Sequence, residues 1–230
     1  MERAAYLKTD TSYPLGNITA SDPKRQSTLI IIIILFHVVG LIGFSIPFLR
    51  PLFLKIVPWH LLLMLVVLII SHKPLNNSFL LFGAIVFITA LIAEWVGIHK
   101  AWLFGNYAYG DTLGFKIDGV PLTIGINWFL LIYSTGVLLD RSRIKNSYSR
   151  IIIGALLLVL LDVLIEPIAI KFNYWHWTGN TIPLKNYACW FLLSALMLFV
   201  FEQFKFKRQS LVAPVFLLNQ FVFFIVLLLL

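Results

Sequence analysis

The chain of 230 residues has a single cysteine, Cys189, so neither an internal disulfide framework nor a cysteine-built metal cluster is open to it. That thiol reads as a buried, inert side chain. Charge is scarce as well, with Asp, Glu, Lys and Arg making up only 12% of the residues. After residue 28 no polar stretch is long enough to fold separately, which predicts a polar cytoplasmic tail over residues 1–28 with little fixed structure and a single transmembrane domain over 29–230. No cleavable signal sequence is expected at the start. Also missing are a Walker-type glycine loop, a Gly-x-Ser-x-Gly elbow, a His-Glu-x-x-His pair and the Asp-rich pairs that hold magnesium against a diphosphate. The last apolar run has no lysine, which excludes a retinal Schiff base there. His99 and His176 lack regular ligand spacing, and no metal site is expected.

What the chain has instead is apolar length: 60% of its residues are hydrophobic. Long apolar runs at 29–49, 52–70, 79–98, 120–139, 151–170, 187–204 and 211–230 predict an all-α protein, a polytopic bundle of about seven transmembrane helices. The formal charge of +8 sits mostly in the loops, so it orients helices in the lipid bilayer and does not indicate a nucleic-acid partner. Lys and Arg number twelve on the amino-terminal side and six on the other, which places the amino terminus in the cytoplasm of a multi-pass cell-membrane protein. Two aromatic loops then face outward.

Two acids interrupt the fifth run. Asp162 and Glu166 are spaced i, i+4, which puts them on one helix face roughly 40° apart. An ionisable group in the bilayer interior costs about 2.5–3.5 kcal/mol on insertion scales, so such a pair must face protein, water or a partner. Pro167 follows directly and is expected to kink the helix beside them. Glu94, near the end of the third run, is the third buried acid.

The two aromatic loops form an internal helix-loop-helix repeat. Pro121-Leu122 precedes Trp128-Phe129 at the same spacing at which Pro183-Leu184 precedes Trp190-Phe191. Upstream, Phe104-Gly-Asn106-Tyr107-Ala-Tyr109 resembles Phe172-Asn173-Tyr174-Trp175-His176-Trp177 with a one-residue slip, and each loop follows a helix that ends near a glutamate, Glu94 or Glu166. An interfacial aromatic belt accounts for any one of these rings, but it requires neither the repeated Pro-to-Trp spacing nor an acid before each loop. Two copies running in the same direction are expected to bring Glu94, Asp162 and Glu166 to one cavity.

Carboxyls crowded together in low dielectric cannot all ionise, so one of them remains a proton donor. Aromatic faces beside it can shelter a cation. Protonation of an alkene next to a wall of rings is chemistry suited to isoprenoids dissolved in the bilayer. Asp162, the deepest acid, is the first candidate for the donor; Glu166 then orients or deprotonates water, and Glu94 holds the pair. Tyr107, Tyr109, Trp128, Asn173, Trp175, His176, Trp177 and Trp190 are the expected substrate-binding residues.

Glu94-x-x-Gly97, Phe104-Gly-x-Tyr107-x-Tyr109, Gly119-Val-Pro121 with Trp128, and Asp162 through Pro167 with Trp177 and Ile182-Pro183 resemble the membrane-bound carotenoid hydratases over about residues 79–204. The resemblance implies addition of water to the terminal C=C bond of an acyclic carotenoid end group, giving a tertiary alcohol without a cofactor. It also implies a membrane-embedded carotenoid as substrate and other enzymes of carotenoid biosynthesis as partners. The chain departs from the expected pattern at Asn180 and at Lys185-Asn186. Two other readings keep the acids: an isoprenoid cyclase that excludes water from the cation, and a non-enzymatic proton-coupled transporter.

Overall fold

The computed structural model describes residues 22–230, and within them seven helices are long and apolar enough to cross a membrane. They are α1 (Pro23–Ser45), α2 (Arg50–Ser71), α3 (Asn77–Lys100), α4 (Leu122–Asp140), α5 (Ser147–Lys171), α6 (Leu184–Phe204) and α7 (Val212–Leu229). The expected bundle is present, but five of the seven helices begin earlier than the apolar runs, three of them because polar caps set their first turns. Asp22, Asn76 and Asn146 each accept a backbone N–H of the following turn from their side chain, which starts α1, α3 and α5 inside polar sequence. Residues 23–28, expected as part of an unstructured tail, are therefore the first turns of α1; residues 1–21 of that tail lie outside the described residues. At Pro167 the chain stays helical, and α5 runs on to Lys171.

The fourth helix is the axis of the molecule. Its best apolar window is 83% buried, against 22–50% for the other six, and it packs on α2, α3, α5, α6 and α7. A helix that is apolar all round belongs inside a bundle. Its first turn, like that of α6, follows a proline: Pro121 and Pro183 cap the two helices in the same extended conformation. Proline suits that place because the first helical N–H groups have no intrahelical acceptor to lose.

The aromatic loops are built around short strands. β2 (Lys116–Ile117) and β3 (Val120–Pro121) form a hairpin whose turn residues Asp118 and Gly119 have φ of 47° and 83°, the left-handed pair that a type I′ turn requires. β1 (Tyr107–Tyr109) pairs antiparallel with β4 (Trp175–Trp177), in the register Tyr107↔Trp177, Ala108↔His176, Tyr109↔Trp175. The matching loops of the two repeats thus hydrogen-bond to each other. Side chains alternate along a strand, so Tyr109, Trp175 and Trp177 are buried and Tyr107 is half-buried, while Ala108 and His176 face out. Gly110 closes the ribbon: its N–H donates to Tyr174 O, and a Cβ there would collide with the backbone carbonyl of Asn173.

Candidate functional site

The ribbon lies over two carboxylates, one from each repeat. Glu94 on α3 is 4% exposed and Glu166 on α5 is 1% exposed. Tyr107 and Tyr109 donate their hydroxyls to Glu94 Oε2 at 2.5 and 2.7 Å, and the Trp128 indole donates to Oε1 at 3.0 Å. Trp175 and Trp177 donate to Glu166 Oε2 at 3.0 and 2.8 Å, and the Asn186 amide donates to Oε1 at 3.1 Å. Each acid therefore takes three hydrogen bonds, two of them from the strand that follows it. Burial, and then the Glu94 carboxylate, push the hydroxyls of Tyr107 and Tyr109 well above the ordinary phenol range, so both keep their protons.

The spacing Glu94-x-x-Gly97 has a steric cause. A Cβ on Gly97 would stand 2.6 Å from the Tyr107 hydroxyl, so the absence of a side chain one turn beyond Glu94 is what admits the tyrosine. Gly97→Ala is expected to displace that hydroxyl and remove about 2 kcal/mol of stabilisation from Glu94, the size of a hydrogen bond to a charged group. Turnover should fall roughly thirty-fold if the bond acts in the transition state. A steady-state assay paired with a melting curve reads both effects.

The repeated Pro-to-Trp spacing also acquires a meaning. Trp128 and Trp190 stack with ring centroids 4.2 Å apart and 24° between planes, joining α4 to α6 below the ribbon. The repeats differ at two positions beside the acids. Asp162 stands four residues before Glu166 where Ala90 stands four before Glu94, and Asn186 stands three residues beyond Pro183 where Ile124 stands three beyond Pro121. The two odd residues meet: Asn186 Nδ2 donates to Asp162 Oδ2 at 2.8 Å as well as to Glu166.

Glu94, Glu166, Tyr107, Tyr109, Trp175, Trp177, Asn186 and Trp190, with Phe104 and Ile124, enclose a cavity of about 20 Å³. That is room for one water and little else. Asp162, the first sequence candidate for the proton donor, is not in its wall; it is wholly buried one turn lower, and its Oδ1 meets no donor among the described residues. Asn186 joins Asp162 to Glu166, but it is Glu94 and Glu166 that share the cavity. Trp128 reaches the site through its bond to Glu94. Asn173 and His176 do not belong to it. Asn173 is an exposed turn residue with φ 55°, and the strand alternation that buries Trp175 and Trp177 turns His176 outward. Asn186 is the functional residue that the sequence reading missed as such.

A second cavity, of about 370 Å³, adjoins the first and shares Ile124 and Trp175 with it. Its walls are mostly apolar and come from α1, α2, α4, α5, α7 and the loops, with His37, His60, Asn127 and Gln220 among them. His37 Nδ1 bonds Ile33 O and its Nε2 bonds the Gln220 amide, whereas the side chains of His60 and Asn127 make no hydrogen bond among the described residues. The arrangement is a water-sized polar site, flanked by two carboxylates, next to a chamber for an apolar guest.

The chain matches the family described as carotenoid biosynthesis protein over residues 54–230. It is similar to a bisanhydrobacterioruberin hydratase of Haloarcula japonica, with 28% identity over 125 residues that cover 51% of this chain and 42% of the relative. The chain thus spans less than half the length of that curated relative. No solved structure matches it.

Proposed function

The chain belongs to the carotenoid biosynthesis protein family, and from that premise we propose that it is a hydratase, adding water to the terminal C=C bond of an acyclic carotenoid end group to give a tertiary alcohol. The observation that carries the proposal is the one-water cavity between Glu94 and Glu166, set against an apolar chamber.

The partners of the two acids suit them to different roles. Indole and amide N–H groups can only donate, so both oxygens of Glu166 are held as acceptors, and this is the carboxylate that takes a proton from water. The tyrosine hydroxyls on Glu94 can donate or accept, so Glu94 can carry a proton and release it without stranding its partners. In the reaction Glu94 transfers its proton to the CH carbon of the terminal double bond, leaving a tertiary cation on the dimethyl-bearing carbon. The faces of Trp175, Trp177 and Trp190 stabilise that cation. The water oxygen then bonds to it while Glu166 takes a water proton, and return of that proton across the cavity to Glu94 resets the site. Alkene plus water gives the alcohol, with no net proton consumed. Asp162 acts on the reaction through Asn186. Because the small cavity cannot also hold an alkene, the end group must arrive past Ile124 and Trp175, the wall shared with the apolar chamber.

Expression in a host that accumulates lycopene, followed by mass measurement of its pigments, tests the reading. A gain of one water supports it. An unchanged mass with a shortened polyene absorption would instead mean cyclisation, and a pH-driven flux with unaltered pigment would mean transport.

The excess of Lys and Arg on one side supports a topology with the loop around Ser142 in the cytoplasm and the ribbon outside a cell membrane. On a Cys189→Ala background, a membrane-impermeant thiol reagent added outside should label a cysteine at Asn106 and not one at Ser142. The reverse pattern would invert the topology.

A further inference from the structure

Among the side chains that line the larger cavity, the exposed ones are Phe36 (42%), Val39 (41%), Ile56 (40%) and Trp59 (70%), all on α1 and α2. A residue that is both cavity wall and outer surface stands at a mouth. Val39 lies six residues before Ser45 and Ile56 six after Arg50, while Phe36 and Trp59 are each nine away, so the four face one another at two levels. At 1.5 Å per residue those levels lie about 9 and 14 Å along the helices from the turn that joins them. Both are inside apolar spans, so the mouth opens to hydrocarbon and not to water. Nearer the turn the helices close on each other, with Phe53 packed where Gly43 has no side chain.

We propose that this mouth is a lateral portal through which the end of a linear isoprenoid, dissolved in the bilayer, enters the larger cavity, and that α1 is the wall that selects it. The class of occupant rests on the function proposed above; the route rests on the geometry. A cavity of about 370 Å³ is of the size that encloses a small molecule. It therefore admits an end segment of a long polyene, and the remainder stays in the lipid outside the mouth. Entry from the ribbon side would require the strands to part at Gly110 and the Glu94 and Glu166 hydrogen bonds to break, whereas entry between α1 and α2 disturbs no hydrogen bond of the acid network. Phe36, His37, Val39, Gly40 and Phe44 of α1 line the cavity and all precede residue 54, where the family match begins. The selecting wall thus lies outside the region by which the chain is placed in its family.

The test uses the full chain in lipid nanodiscs, with lycopene supplied in the bilayer as the probe. Two readouts are taken: polyene retained by the protein after detergent extraction, and product formed. The pair Val39→Trp with Ile56→Trp should cut retained lycopene at least ten-fold. The control pair Val38→Trp with Leu52→Trp, also exposed on the same helices but outside the cavity wall, should retain it as the native chain does. Native retention in the portal pair, or none in the native chain, overturns the proposal. Where the portal pair fails to fold, Trp59→Ala replaces it: a widened mouth should speed uptake, and an unchanged uptake rate overturns the portal. Retention that depends on the portal but yields no hydrated product leaves the portal standing and removes the hydratase reading.

Discussion

Glu166→Gln is expected to lower turnover by about 10²–10⁴-fold, the range lost when a positioned acid or base is removed. Glu94→Gln should lose turnover in the same range, but the two variants should differ in stability. At Glu94 a glutamine can turn its carbonyl to Trp128 and its amide to the tyrosines, whose hydroxyls rotate to accept. At Glu166 the two indoles can only donate and the Asn186 amide is held as a donor by its second bond to Asp162, so one amide N–H of the glutamine must face another N–H. That mismatch costs about 1–3 kcal/mol. Glu94→Gln should therefore melt near the native chain, and Glu166→Gln clearly below it. Asp162→Asn, outside the cavity, should be the mildest of the three in turnover. Pigment conversion and melting in detergent check the ranking; full conversion by both glutamine variants would remove the carboxylates from the chemistry.

The largest loss of stability is expected from Asn186→Leu. Leucine fills much of the volume of the amide but donates to neither acid, and it leaves Asp162 without its one donor among the described residues. Two buried carboxyls four residues apart then face each other with nothing between them. A buried charged group stripped of its partner costs about 3–5 kcal/mol. If the asparagine is there to hold these two acids together, adding Asp162→Ala, which makes the second repeat resemble the first at that position, should recover part of the loss. A double variant no more stable than Asn186→Leu would contradict that pairing, and the double-mutant cycle measures the coupling directly.

Much of this was legible in the chain because each feature has a local cause. Apolar length specifies spanning helices, and Pro121 with Trp128 and Pro183 with Trp190 announced a repeat whose two halves meet at the stacked indoles. Glu94 and Glu166 could be paired because each precedes its own aromatic loop. What escaped was whatever depends on the register between distant strands. Nothing local fixes Tyr107 opposite Trp177, so His176 was grouped with its neighbours although the alternation turns it outward. The Asp118-Gly119 pair is a readable hairpin signal within a loop otherwise dominated by aromatic rings. Depth favours Asp162 as the donor, yet depth along a helix does not say which side of Asn186 an acid lies. In the sequence Asn186 stands out only as a departure from an expected pattern. A lone amide at the start of an apolar helix, one loop away from paired acids, is the signal that could have identified it.

The central claim is that water adds to the alkene between Glu94 and Glu166, and the most direct measurement is the mass of the polyene product formed by purified protein in nanodiscs in ¹⁸O-labelled water. The account predicts a product heavier than lycopene by one labelled water, with its oxygen from solvent, and no such product from Glu166→Gln. A product of unchanged mass, or one whose formation is indifferent to Glu166, would contradict it.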